Sequence, residues 1–326
     1  MRLKLLLFTA VVLACLTCGF SRCGSQHNGA DELILFTITG SHPFEDYVNL
    51  IQPDGSNEQP FLTPKRGRSY FFASGNSLHE NFVVTVHELN ESGKVRDHLY
   101  EYYPATRQWL LLPGVPSGAG VGVISPDGKR AVYAVPPEVR GTRALRLWTM
   151  NLETGVTQKL TTGGADDEWD AYPVWSPDGR EITFLRLRLT SEGIVRTNLM
   201  RVPFGGGEST MILGDDDEVS VVCYNRAGDR LAMWSKPGLE IMSLRDSSRS
   251  VVLPRSKLPD RIYQGGGAGG LACSLTTDKI AIALINEHSQ ESELWTINSD
   301  GSGLEKIHSR PMAEGKITVG MYVRSR

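Results

Sequence analysis

Apolar and β-branched residues along this chain come in short runs, broken by polar turns rich in Pro, Asp and Gly. That pattern predicts many short strands joined by tight turns. Two stretches repeat almost residue for residue: Val123-Ile124-Ser125-Pro126-Asp127-Gly128-Lys129-Arg130 and Val174-Trp175-Ser176-Pro177-Asp178-Gly179-Arg180-Glu181. Self-similarity at a period of about 50 residues marks a repeat architecture. Each period divides into four β-type runs, a to d, which in the third copy are 172–176, 182–186, 198–202 and 210–213. Ser-Pro-Asp-Gly joins a to b: Pro presets φ, Asp bonds the nearby backbone, and Gly takes the positive φ that closes the hairpin. The c–d turn has its own signature, as in Ile297-Asn298-Ser299-Asp300-Gly301.

Run a recurs near 70–73, 121–124, 172–175, 220–223, 271–273 and 317–323. Run b recurs near 33–38, 82–87, 131–135, 182–186, 231–234 and 280–285. Both series have six members, yet the chain starts on a run b and ends on a run a. A closed ring explains the offset. The sequence therefore predicts an all-β, six-bladed β-propeller of four-stranded blades over 31–326, closed by the C-terminal strand joining the first blade. Closure leaves only short, protected sheet edges.

The first 20 residues read as a signal peptide: Arg2 and Lys4 precede an apolar run at 5–14, too short to span a bilayer, which takes about 20 apolar residues. Val12-Leu13-Ala14-Cys15 is similar to a lipobox, which makes Cys15 a lipidation candidate. The expected product is exported, either free in the periplasm or held at the membrane by lipid alone, after a polar tether at 21–30. Net charge is −3, with no basic surplus to suit nucleic acid. Of the five Cys, only Cys223 and Cys273 lie in the body of the chain. They fall on equivalent runs of neighbouring repeats, and two separate buried thiols are the expectation.

Leu147-Trp148-Thr149-Met150-Asn151, Lys159-Leu160-Thr161 and the stretch from Asp166-Asp167 through Pro173-Val174-Trp175-Ser176-Pro177-Asp178-Gly179 resemble the WD-like propeller repeat of the TolB family. The repeat also occurs in prolyl-oligopeptidase-type peptidases. TolB itself carries a further domain ahead of its propeller, and those peptidases add a hydrolase domain with a Gly-x-Ser-x-Gly elbow, a pentapeptide missing here. The resemblance implies a stand-alone exported propeller, expected as a monomer.

Loops d–a and b–c should share one face of such a ring and the two Gly turns the other. The first face rims the channel and is the expected place for a site. It carries two acidic clusters: Asp166, Asp167, Glu168 and Asp170 around Trp169, and Asp215, Asp216, Asp217 and Glu218. These could draw a cationic peptide or hold Ca²⁺ through carboxylate oxygens; solvated, turn-capping Asp residues are the plainer reading. Trp169 is the better candidate for a stacking contact, Trp175 for interblade core. The leading expectation is a non-enzymatic scaffold, without cofactor, binding a protein or peptide of the cell envelope at this acidic rim. The alternative rests on His42, His87, His98 and His288, which closure would bring to adjacent blades. Some propellers resembling this family are lyases of acidic oligosaccharides with a His-bound divalent metal, so the set implies a metal-dependent polysaccharide (oligouronide-type) lyase or hydrolase.

Overall fold

The computed structural model describes residues 32–40, 44–136, 144–162, 164–165, 167–189, 195–258 and 270–325. The signal segment, Cys15, His42 and Asp166 lie outside them. Among the described residues, twenty-four strands build six four-stranded antiparallel sheets. The first blade holds β1 (Glu32–Thr39), β2 (Tyr47–Ile51) and β3 (Gln59–Leu62). The second holds β4 (Arg68–Gly75), β5 (Phe82–Leu89), β6 (Val95–Tyr103) and β7 (Gln108–Leu111). β8 (Gly122–Ile124), β9 (Arg130–Val135), β10 (Arg146–Asn151) and β11 (Thr157–Lys159) form the third. In the fourth are β12 (Glu168–Trp175), β13 (Glu181–Leu189), β14 (Val195–Pro203) and β15 (Thr210–Leu213). The fifth comprises β16 (Val221–Tyr224), β17 (Arg230–Ser235), β18 (Gly238–Ser243) and β19 (Arg249–Pro254). Last come β20 (Leu271–Cys273), β21 (Lys279–Asn286), β22 (Glu291–Asn298) and β23 (Glu305–Pro311).

The final strand, β24 (Lys316–Arg324), leaves the sixth blade and pairs with β1 as the inner strand of the first. Its register runs from Glu32↔Arg324 to Thr39↔Lys316. The predicted architecture and its closure are thus the observed ones.

Alternation explains why β1 is buried along almost its whole length. Leu33 and Leu35 pack toward the second blade with Tyr70, Phe82 and Val84. Ile34, Phe36 and Ile38 pack toward the sixth with Ala281, Ala283 and Leu294. Successive side chains point to opposite faces, so one strand feeds two interblade cores. Four further cores fill the remaining gaps around the ring. Buried Glu32 joins the last gap by accepting from the Ser274 hydroxyl at 2.5 Å and the Leu275 backbone N–H at 2.8 Å.

The repeated turns do what their residues predict. Gly128 and Gly179 sit at φ 70° and 69°, and each donates its N–H to the carbonyl of Ser125 or Ser176 at 2.9 Å. Burial opposes charge on Asp127, but hydrogen bonds from Ser125 and Arg130 outweigh it and pull its carboxyl down to about 2. Trp175 is interblade core, as expected: it is buried, and its indole N–H donates to the Val123 carbonyl at 3.2 Å.

Candidate functional site: the central channel

The six inner strands meet around the axis and enclose a cavity of about 430 Å³. Every blade contributes. Phe72 and Ser74 come from β4, Val123 from β8, Tyr172 and Val174 from β12, Val222 from β16, Ala272 from β20, and Gly320 and Met321 from β24. Small residues such as Ala272, Ser74 and Gly320 leave the space open. The lining continues onto the a–b turns through Pro126, Pro177, Arg226, Leu275 and Thr276, all of them exposed. Those exposed residues form the mouth. The cavity thus reaches the face of the Ser-Pro-Asp-Gly turns, whereas the sequence pointed to the d–a face.

One wall is locked. Cys223 of β16 and Cys273 of β20 form a disulfide, with Cα atoms 5.6 Å apart. This corrects the expectation of two separate thiols. Equivalent strands of neighbouring blades are far apart at the circumference, but inner strands converge on the axis to within the span a disulfide needs. Another wall is bent. The β12–β13 register shifts between Ala171 and Val174, and Tyr172 adopts φ 53°. Such a bulge turns a strand locally and re-aims its side chains, and Tyr172 lines the cavity.

Among the described residues, no Asp or Glu lines the cavity, and its charged residues are Arg226 and Arg324. Arg226 has no ion-pair partner among the described residues, and Arg324 lies 3.8 Å from exposed Glu80. The nearby turn carboxylates fold back on their own hairpins: Asp127 to Ser125 and Arg130, Asp178 to Ser176 and, at 3.7 Å, Arg180.

The acidic clusters lie at the start of β12 and ahead of β16, at the other end of these strands. Most of their charge is already matched. Asp170, fully buried, accepts two hydrogen bonds from Arg186 at 2.7 and 3.1 Å. Glu168 accepts from the Ala165 N–H, and Asp167 faces Arg188 at 3.2 Å. Asp215 pairs with Arg196 at 3.4 Å, Glu218 with Lys236 at 3.5 Å, and Asp217 with Arg249. Asp216 is exposed and outside these pairs. Trp169 lies opposite Leu187 in the sheet, with its indole nitrogen buried.

Of the four candidate histidines, the three described ones do not form a metal-binding group. His87 stands between Asp46 at 3.3 Å and Asp97 at 3.5 Å and stacks on Phe71 at 5.0 Å. His98 pairs with Val86, the neighbour of His87 on β5, so the two imidazoles are on opposite faces of one sheet. His288 follows β21, its backbone N–H capped by Asn286. Among the described residues, no group of three or more His, Cys, Asp or Glu side chains is placed to hold a metal ion.

No protein-family model matches the chain. Its structure is similar to that of TolB from Acinetobacter baumannii, with a TM-score of 0.65 at 14% identity, covering 90% of this chain and 67% of that one. It is also similar to a putative TolB from Agrobacterium tumefaciens, with a TM-score of 0.59 at 12% identity, over 91% of this chain and 99% of the other. An oligogalacturonate lyase in complex with manganese has a TM-score of 0.50 at 14% identity, over 86% and 73% of the two chains. In sequence, 65 residues are 43% identical to dipeptidyl-peptidase 5 of Porphyromonas gingivalis, which is 19% of this chain and only 9% of that enzyme. At these identities the structural likenesses speak for fold alone. The chain has the six-bladed fold of a TolB-type propeller.

Proposed function

We propose that this chain is an exported, non-enzymatic propeller that binds a protein or peptide partner of the cell envelope across the mouth of its channel. One observation carries the reading: an apolar cavity of about 430 Å³, contributed to by all six blades and reaching an exposed ring of turns. Burying an apolar side chain from a partner there would supply the main favourable free energy. The acidic loops give weaker support for the seat, because Asp167, Asp170, Asp215, Asp217 and Glu218 already face Arg or Lys. The TolB-like fold favours a binding scaffold. The lyase alternative gains nothing from His87 and His98, which face away from each other.

The test is capture from envelope extract with three forms of the protein: wild type, Leu275→Asp at the mouth, and Asp215→Asn with Asp216→Asn in the acidic loop. Loss of the captured partner in the mouth variant alone is the expected result. Loss in the loop variant alone would overturn the placement.

A further inference from the structure

Among the described residues, the channel carries an apolar interior beneath a mouth whose charged lining residues are both arginines. Its walls are Phe72, Val123, Val174, Val222 and Met321, and its charged residues are Arg226 and Arg324. A volume of about 430 Å³ falls within the range of about 300–1,000 Å³ typical of small-molecule sites. Two features hold the walls in place independently of any ligand: the Cys223–Cys273 disulfide and the bulge that sets Tyr172 at φ 53°. A preformed wall lowers the ordering cost of binding.

Charge then selects the ligand. A cation has no lining carboxylate to meet among the described residues, and Asp127 and Asp178 are held by their own turns. A wholly apolar molecule would fill the interior but gain nothing from the Arg226 guanidinium at its edge. An anionic head beside Arg226 satisfies the mouth, while an apolar tail fills the space below. Arg324 stands at the same rim: its backbone is held by Asn76 and Leu78, at 3.0 and 2.9 Å, and its guanidinium lies 3.8 Å from exposed Glu80, with which a bound carboxylate would compete.

We infer that the channel is a binding site for a free amphipathic carboxylate of fatty-acid type, tail inward and carboxylate at the Arg226–Arg324 mouth. The inference rests on the channel being the binding seat and adds a small ligand beneath the partner's footprint.

The test is a fluorescence titration of the full-length purified protein with a dansyl-labelled undecanoate and with its methyl ester. Saturable binding of the acid is expected, displaced by unlabelled dodecanoate, with the ester about tenfold weaker. Arg226→Ala with Arg324→Ala should bring the acid down to the level of the ester. Leu275→Asp, at an exposed position of the mouth, should weaken the acid by a similar factor without disturbing the fold. No saturable binding, or equal affinity for acid and ester in wild type, overturns the inference; so does an acid affinity unchanged by these substitutions. Failure of the probe with intact partner capture sinks this inference alone. Intact probe binding with no captured partner sinks only the function proposed above.

Discussion

Cys223 and Cys273, 50 residues apart in sequence, bridge the inner strands of the fifth and sixth blades with Cα atoms 5.6 Å apart. The bond closes a loop holding most of the fifth blade, and it lies in the channel wall. Constraining a loop of that length in the unfolded chain contributes about 2–4 kcal/mol. Replacing both residues with Ala should lower the unfolding free energy by that amount in urea titrations. Equal stability of the two proteins would contradict the pairing.

Gly320 is the weak point of ring closure. The β1–β24 register jumps from Leu35↔Met321 to Phe36↔Val319, leaving Gly320 as the extra residue of a bulge. A Cβ there would lie 2.9 Å from Leu35 Cδ2 and 3.1 Å from the Leu35 carbonyl oxygen. Gly320→Val is expected to cost about 1–3 kcal/mol through overpacking. Hydrogen exchange should rise first on β1 and β24. Uniform exchange across all blades would argue that closure is not the seam that opens.

Asp170 and Arg186 form a buried pair, with Asp170 0% exposed. Removing the cation leaves an uncompensated carboxylate in the interior. Arg186→Ala should therefore destabilise by about 3–5 kcal/mol, far more than Arg188→Ala, whose partner Asp167 is half-exposed. Similar melting temperatures for the two variants would refute this ranking.

His87 gives the fold a pH dependence. Burial favours the neutral imidazole, but the hydrogen bond to Asp46 and the charges of Asp97 and Asp46 outweigh it, raising the pKa above its ordinary 6.5. A raised folded value contributes stability that is complete below about pH 6.5 and is lost as pH climbs through the folded pKa. The stability advantage of wild type over His87→Gln should shrink as pH rises from about 6 to 8. A constant gap between their thermal midpoints would count against the ion pairs.

The blade count and closure were legible because the Ser-Pro-Asp-Gly turns at 125–128 and 176–179 mark where inner strands end, and the offset register demands a ring. The disulfide was not, because periodicity shows that Cys223 and Cys273 are equivalent but not how near the axis they sit. The acidic loops read as negative from sequence alone. Their neutralising partners Arg186, Arg196, Lys236 and Arg249 come from other segments of the fourth and fifth blades, and only folding brings them near. The cavity left a faint signal. Small residues such as Gly320 and Ala272 interrupt otherwise bulky inner strands, and Arg226 replaces the proline of the third-copy turn.

The central claim is that partners meet this protein at the turn-lined mouth of the channel. Photo-crosslinking from single introduced residues in the intact cell envelope tests it most directly. A benzophenone side chain at Thr276, in the mouth, should give a discrete adduct, and one at Asp216, in the acidic loop, should give none. An adduct from Asp216 with silence at Thr276 would contradict the account.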